Sequence, residues 1–70
     1  MKIFITGGLG FVGTRITALL LRKGHRVTVI ERNPRNKPAP PEGVSVIEAD
    51  ASRPGPWQEV LAGHDAVVNL

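Results

Sequence analysis

The sequence contains no cysteine and no tyrosine, and only three aromatic residues in 70: Phe4, Phe11 and Trp57. Without cysteine there is no disulfide framework and no thiolate metal site. That fits a reducing compartment, and a cytoplasmic location is the expectation. No carboxylate or histidine pair has metal-ligand spacing. Three aromatic residues are too few for a base-stacking platform on single-stranded nucleic acid. The opening "MKIFITGG" has one lysine and a short apolar stretch, less than a signal peptide or a membrane span requires. No membrane association is therefore expected. There is no internal repeat of fixed period.

What is present is the balance of an ordinary water-facing domain: 41% hydrophobic and 21% charged residues, with a net charge of +3. Seventy residues make one domain at most, and a chain of that length buries only roughly 60% of its unfolded surface. Six of the nine basic residues lie between Arg22 and Lys37. Such a cluster suits a solvated edge or a cofactor phosphate, and nucleic acid is not expected as a partner.

Apolar strands alternate with longer connections. Lys2–Thr6 reads as a buried strand, with Ile3, Phe4 and Ile5 in an unbroken run. Phe11 to Lys23 has helical periodicity, with Val12, Ile16, Leu19 and Leu20 on one face. Gly24 stops that helix, and Arg22 and Lys23 suit its negative end. Val27–Ile30 is a second strand. Asn33–Gly43 holds four of the six prolines and reads as loop. Val44–Ile47 is a third strand, Pro56–Ala62 a short helix and Ala66–Leu70 a fourth strand. Connections too long for hairpins predict a parallel sheet with right-handed crossovers. The predicted fold class is α/β, a doubly wound parallel sheet of Rossmann type with strand order 3-2-1-4. Two helices cannot cover both faces of four strands, so apolar sheet surface should stay bare. The 70 residues are expected to be the N-terminal portion of a dinucleotide-binding domain, with the catalytic and substrate-binding parts elsewhere.

Four glycines fall within Gly7–Gly13, between the first strand and the first helix. A dinucleotide pyrophosphate sits at such a helix N-terminus, where free N–H groups and the positive dipole end converge. The backbone must turn sharply there and approach the phosphates without a Cβ in the way. Two registers fit: Gly8, Gly10 and Gly13 match G-x-G-x-x-G, while Gly7, Gly10 and Gly13 match G-x-x-G-x-x-G. A P-loop is excluded, because no Gly-Lys-Ser/Thr follows. Glu31, eighteen positions after Gly13, stands where a ribose-binding acid belongs. It favours NAD, whereas Arg32, with Arg35 and Lys37 beyond, is the type of group that receives the 2′-phosphate of NADP. Both cofactors remain open at this point.

The segments "ITGGLGFVGTRITALLLRKGHRVTVIER", "VSVIEADASRP" and "GHDAVVNL" resemble the extended branch of the short-chain dehydrogenase/reductase superfamily, the NAD-dependent epimerases and dehydratases. The resemblance covers Lys2 to Leu70 and favours the Gly7, Gly10, Gly13 register. It implies that the backbone amides of Phe11 and Val12 help hold the pyrophosphate. It implies that Glu31 binds ribose, that Asp50 hydrogen-bonds the adenine amino group with Ala51 against the ring, and that Asn69 and Leu70 begin the strand-four motif passing the cofactor. The last segment is most similar to a subgroup of NADP-linked epimerase-like proteins, which usually lacks the acid at position 31. The family transfers a hydride between nicotinamide and a sugar-like alcohol carbon, using a Tyr-x-x-x-Lys pair that this tyrosine-free sequence does not contain. By itself it is expected to bind cofactor and turn nothing over. A small-molecule substrate and a homodimer are implied for the complete protein. A non-catalytic NAD(P) sensor of the same fold is the rival expectation, and a flavin-binding domain a more distant one. His25 and His64 read as turn residues rather than catalytic ones.

Overall fold

The structure is a computed structural model that describes residues 1–37 and 39–70. Pro38, one of the four prolines of the predicted loop, lies outside the described residues. The elements are β1 (Lys2–Thr6), α1 (Phe11–Arg22), β2 (Arg26–Glu31), β3 (Val44–Glu48), α2 (Trp57–Leu61) and β4 (Ala66–Asn69). One short 3-10 turn, Pro34–Asn36, sits inside the stretch expected to be loop. Proline opens it because its fixed φ suits a first helical position. All strands pair in parallel, in the order β3-β2-β1-β4. This is the expected order.

Successive strand side chains point to opposite faces. On one face Ile3, Ile5, Val27 and Val29 form a buried core with Leu9. Ile16, Leu20 and Leu21 of α1 pack onto it, as do Val44, Val46, Ala66 and Val68 from the flanking strands. On the other face Phe4 is fully buried under Trp57, whose ring lies 6.2 Å away, and against the edge of His64 at 5.4 Å. Burying a side chain of that size contributes about 2–3 kcal/mol. Helix α2 therefore covers the face opposite α1. The cover is incomplete: Val67, the sheet neighbour of Phe4, remains 56% exposed.

Helix α1 ends in a Schellman arrangement. Gly24 takes φ +85°, its N–H donates to Leu21 O, and the N–H of His25 donates to Leu20 O. Since α1 returns from the carboxyl end of β1 to the amino end of β2, it separates the basic residues. Arg22, Lys23 and Arg26 lie at the amino ends of the strands, and Arg32, Arg35 and Lys37 lie beyond the carboxyl end of β2. Twelve helical residues span about 18 Å, so the basic run of the sequence is not one patch.

His64 is more than a turn residue. Its Nδ1 donates to Val60 O at 2.8 Å, a carbonyl that can only accept, which leaves Nε2 to accept from the Thr28 hydroxyl at 2.8 Å. It ties the end of α2 to the middle of β2. Among the described residues no helix is long and apolar enough to cross a membrane, and no group of three acidic, histidine or cysteine residues could hold a metal ion.

Candidate functional site

The site is built at the carboxyl ends of the strands. There β1 leads into a glycine turn and then directly into α1. Gly7 makes the sharp departure: its φ is +71°, a conformation that an L-side chain adopts only with strain. Its N–H donates to Ile30 O at 3.4 Å, and its carbonyl accepts from the N–H of Gly10 at 3.1 Å. The other glycines are needed for space. A Cβ at Gly13 would stand 2.2 Å from Gly7 O and 2.7 Å from the Cα of Gly8. A Cβ at Gly8 would stand 2.6 Å from a methyl of Val29. Gly8 is thus a packing position against the sheet, while Gly7 is the turn, in keeping with the Gly7, Gly10, Gly13 register. At Gly10 the nearest atom to a Cβ is Gly7 O at 3.4 Å. The space in front of Gly10 is therefore not filled by protein.

Helix α1 has Gly10 at its N-cap, no side-chain cap and no acidic residue in its first turn. The first amide of α1 with an acceptor among the described residues is that of Thr14, bonded to Gly10 O. The N–H groups of Phe11, Val12 and Gly13 have no acceptor among the described residues. These donors are left for solvent or an anion. Phe11 and Val12 are 77% and 57% exposed, so neither side chain is spent on the core. Arg15, one turn on, lies with its guanidinium carbon 4.6 Å from the centroid of the Phe11 ring. Thr14 bonds back to Phe11 O and is a helix-surface residue.

The second part of the site lies beyond β2 and β3. Glu31 ends β2, and its carboxylate accepts one long bond from the N–H of Asn33 at 3.4 Å. Arg32 reaches across to Asp50 at 3.9 Å. Asp50 also accepts from the hydroxyl and the N–H of Ser52, at 2.6 and 2.9 Å, and Arg53 stands 3.8 Å away. The Ser52 hydroxyl bond, then its N–H bond, hold the Asp50 carboxyl below the usual carboxylate range, and the two guanidinium groups add to this. Ala51 follows, exposed. Arg35 folds back from the 3-10 turn onto Glu48, with two nitrogens each 3.3 Å from a carboxylate oxygen.

The third part is the end of β4. Thr6 Oγ1 donates to Asn69 Oδ1 at 2.6 Å and accepts from the N–H of Leu70 at 3.2 Å. Leu70 thereby stands beside Gly7, where a Cβ would be 3.8 Å from its own. The chain leaves β1 towards β2 on one side and reaches β4 on the other, so the junction of Gly7 and Leu70 is a topological switch point. Ligands of open α/β sheets bind in that crevice. A separate hollow of about 500 Å³ lies at the opposite end of the sheet, lined by Lys2, Arg26, Thr28, Ser45 and His64 among others, and contains none of these groups.

The sequence profile of the NAD dependent epimerase/dehydratase family matches residues 3–70. The chain belongs to that family. Its relatives in the family include the UDP-glucose 4-epimerase of Corynebacterium glutamicum, 42% identical over 73 residues that cover 100% of this chain and 22% of that protein. The bovine (Bos taurus) epimerase family protein SDR39U1 is 50% identical over 34 residues, 49% of this chain and 12% of that protein. Among solved structures, the Bordetella bronchiseptica enzyme WbmG in complex with NAD and UDP superposes with a TM-score of 0.81 at 29% identity, over 99% of this chain and 24% of that one. The chain thus spans less than a quarter of the length of these family members.

All ten residues singled out in the sequence lie near the carboxyl ends of the strands, on the turns that follow them or in the first turn of α1. Gly7, Gly10, Phe11, Val12 and Gly13 form the helix entrance. Glu31 and Arg32 stand next to Asp50 and Ala51, and Leu70 closes against Gly7. Sequence reasoning missed Ser52 and Arg53 on Asp50, the pairing of Arg35 with Glu48, and Thr6 as the tie between β1 and β4. The S-x-P-G context after Asp50 signals a turn, but no local signal links Arg35 to Glu48.

Proposed function

We propose that these 70 residues are the N-terminal part of a dinucleotide-binding domain, and that they bind NAD. The observation that carries the reading is the uncapped start of α1, where three N–H groups without an acceptor among the described residues adjoin the open space in front of Gly10. That donor set and that lack of Cβ atoms fit a pyrophosphate. Phe11, Val12 and Gly13 would donate to its oxygens, Gly10 would give it room, and Glu31 would accept from the adenosine ribose hydroxyls. Asp50 would accept from the adenine amino group with Ala51 beside the ring, and Leu70 would line the path towards the nicotinamide. Bound NAD supplies a hydride acceptor; this chain's own residues bind and orient it.

NAD is favoured over NADP because the Glu31 carboxylate, with no cation paired to it among the described residues, would stand where a 2′-phosphate sits, whereas Arg32 is turned to Asp50. The NAD in the WbmG complex supports the same choice. For the whole protein we propose hydride transfer on a nucleotide-sugar-like or other carbonyl substrate, which the UDP of that complex supports. The rival reading is a regulatory NAD-binding protein of the same fold. A Tyr-x-x-x-Lys pair elsewhere in the whole protein, and its loss of turnover on Tyr→Phe, separates the two.

The test is calorimetric titration of the whole protein with NAD beside its Gly10→Val variant. The variant should fold and lose NAD binding. Unchanged NAD affinity would remove the pyrophosphate from the start of α1.

A further inference from the structure

Glu31 and Glu48 are direct partners in the β2–β3 register, so their carboxylates leave the same face of the sheet from adjacent strand ends. Their fates differ. Glu48 holds the guanidinium of Arg35 through two contacts of 3.3 Å, while among the described residues the Glu31 carboxylate accepts one bond, from the N–H of Asn33. The Arg35 and Glu48 side chains remain 82% and 50% exposed. A pair so open to water adds little to folding. Its consequence is positional: it fixes the one forked, two-point phosphate ligand of the 3-10 turn on the strand next to the ribose acid.

We infer that Glu48 is a specificity-determining residue of the cofactor site, because it holds Arg35 away from a dinucleotide 2′-phosphate and so leaves Glu31 to select a free 2′-hydroxyl. This rests on the NAD reading given above. Arg35 is suited to two ligands, the Glu48 carboxylate and a phosphate dianion, and both would use the same fork of N–H donors. With the carboxylate present, NADP must displace it and also face Glu31. With the carboxylate neutralised, Arg35 is released beside the ribose position and NADP meets one opposing charge fewer. NAD has no group for Arg35 to hold, so its binding should barely change. The role is one of positioning: Glu48 itself need not touch the cofactor.

The experiment measures dissociation constants of NAD and NADP for the whole protein, wild type and variants, by calorimetric titration. Glu48→Gln is expected to tighten NADP about three- to tenfold, the scale of one partly exposed ion pair, and to leave NAD within about twofold. Adding Arg35→Met to Glu48→Gln should return NADP to the wild-type value. Adding Lys37→Met instead removes the same charge two residues away and should preserve the gain. Because the pair is exposed, Glu48→Gln should melt like the wild type, and circular dichroism verifies that. No gain in Glu48→Gln, or a gain cancelled equally by Lys37→Met, overturns the inference. Gly10→Val is the separate control for the site itself. If NAD binding survives Gly10→Val, the NAD reading fails; if it is lost but Glu48→Gln changes nothing, only the role of Glu48 fails.

Discussion

The carbonyl oxygen of Gly7 lies 2.2 Å from where a Cβ would be at Gly13. The turn and the first turn of α1 are therefore in backbone contact, and neither side has a rotamer through which to yield. Gly13→Ala should cost about 3 kcal/mol of stability, the upper end of overpacking penalties, and should displace the helix entrance. Urea unfolding measures the first effect and NAD titration the second. Gly10→Ala should leave stability within about 1 kcal/mol, since its Cβ would be 3.4 Å from the same oxygen.

Glu31→Ala should weaken NAD about tenfold, the loss of a charged acceptor for ribose hydroxyls, and should strengthen NADP by removing a repelling charge. Parallel titrations with both cofactors check the ratio. Unchanged preference would take Glu31 out of the site.

Asp50 gives a pH signature. Its carboxyl is held below the usual range, first by the Ser52 hydroxyl. The folded state thus binds the proton less readily than the unfolded chain. The contribution of Asp50 to stability is then complete above the unfolded value of about 3.9 and is lost as the pH falls through the lower folded value. Ser52→Ala should raise the Asp50 pKa, seen by NMR titration of its carboxyl carbon. The stability gap between wild type and variant should be constant near neutral pH and close in strong acid.

His64 joins Val60 O to the Thr28 hydroxyl and sets its ring against Phe4. His64→Ala should destabilise the fold by about 2 kcal/mol, while Thr28→Val, which removes one bond only, should cost about 1 kcal/mol. Thermal unfolding of both variants checks the order. NAD affinity should not change in either, since both residues lie on the α2 face, away from the helix entrance.

Much of the fold could be read locally. Ile3–Ile5 is an unbroken apolar run, and Val27–Ile30 and Val44–Ile47 are β-branched stretches with one hydroxyl residue each, so all three stand out without knowledge of their partners. The helix stop at Gly24 and the acid at Glu31 were legible for the same reason: each is set by its own position on an element. The ends were less so. β2 extends to Arg26 and Glu31, and β3 to Glu48, because pairing with a neighbour carries polar residues into the ladder. The turn Pro34–Asn36 was hidden by prolines that read as loop. The contacts that tune the site were not legible. Thr6 meets Asn69 across 63 positions, His64 meets Thr28 across 36, and Arg35 meets Glu48 across 13. Such contacts have no periodicity and arise only when strands far apart in the chain become neighbours.

The sequence alone determined a parallel α/β sheet and a side-chain-free helix start, because strand burial, helical periodicity and glycine geometry are properties of short segments. The tertiary structure decided which charges stand together beyond the carboxyl ends of β2 and β3. Arg35 and Arg32 look like free cations in the sequence. Folding gives them Glu48 and Asp50 as partners, since parallel pairing sets the ends of β2 and β3 side by side, and among the described residues no cation pairs with Glu31.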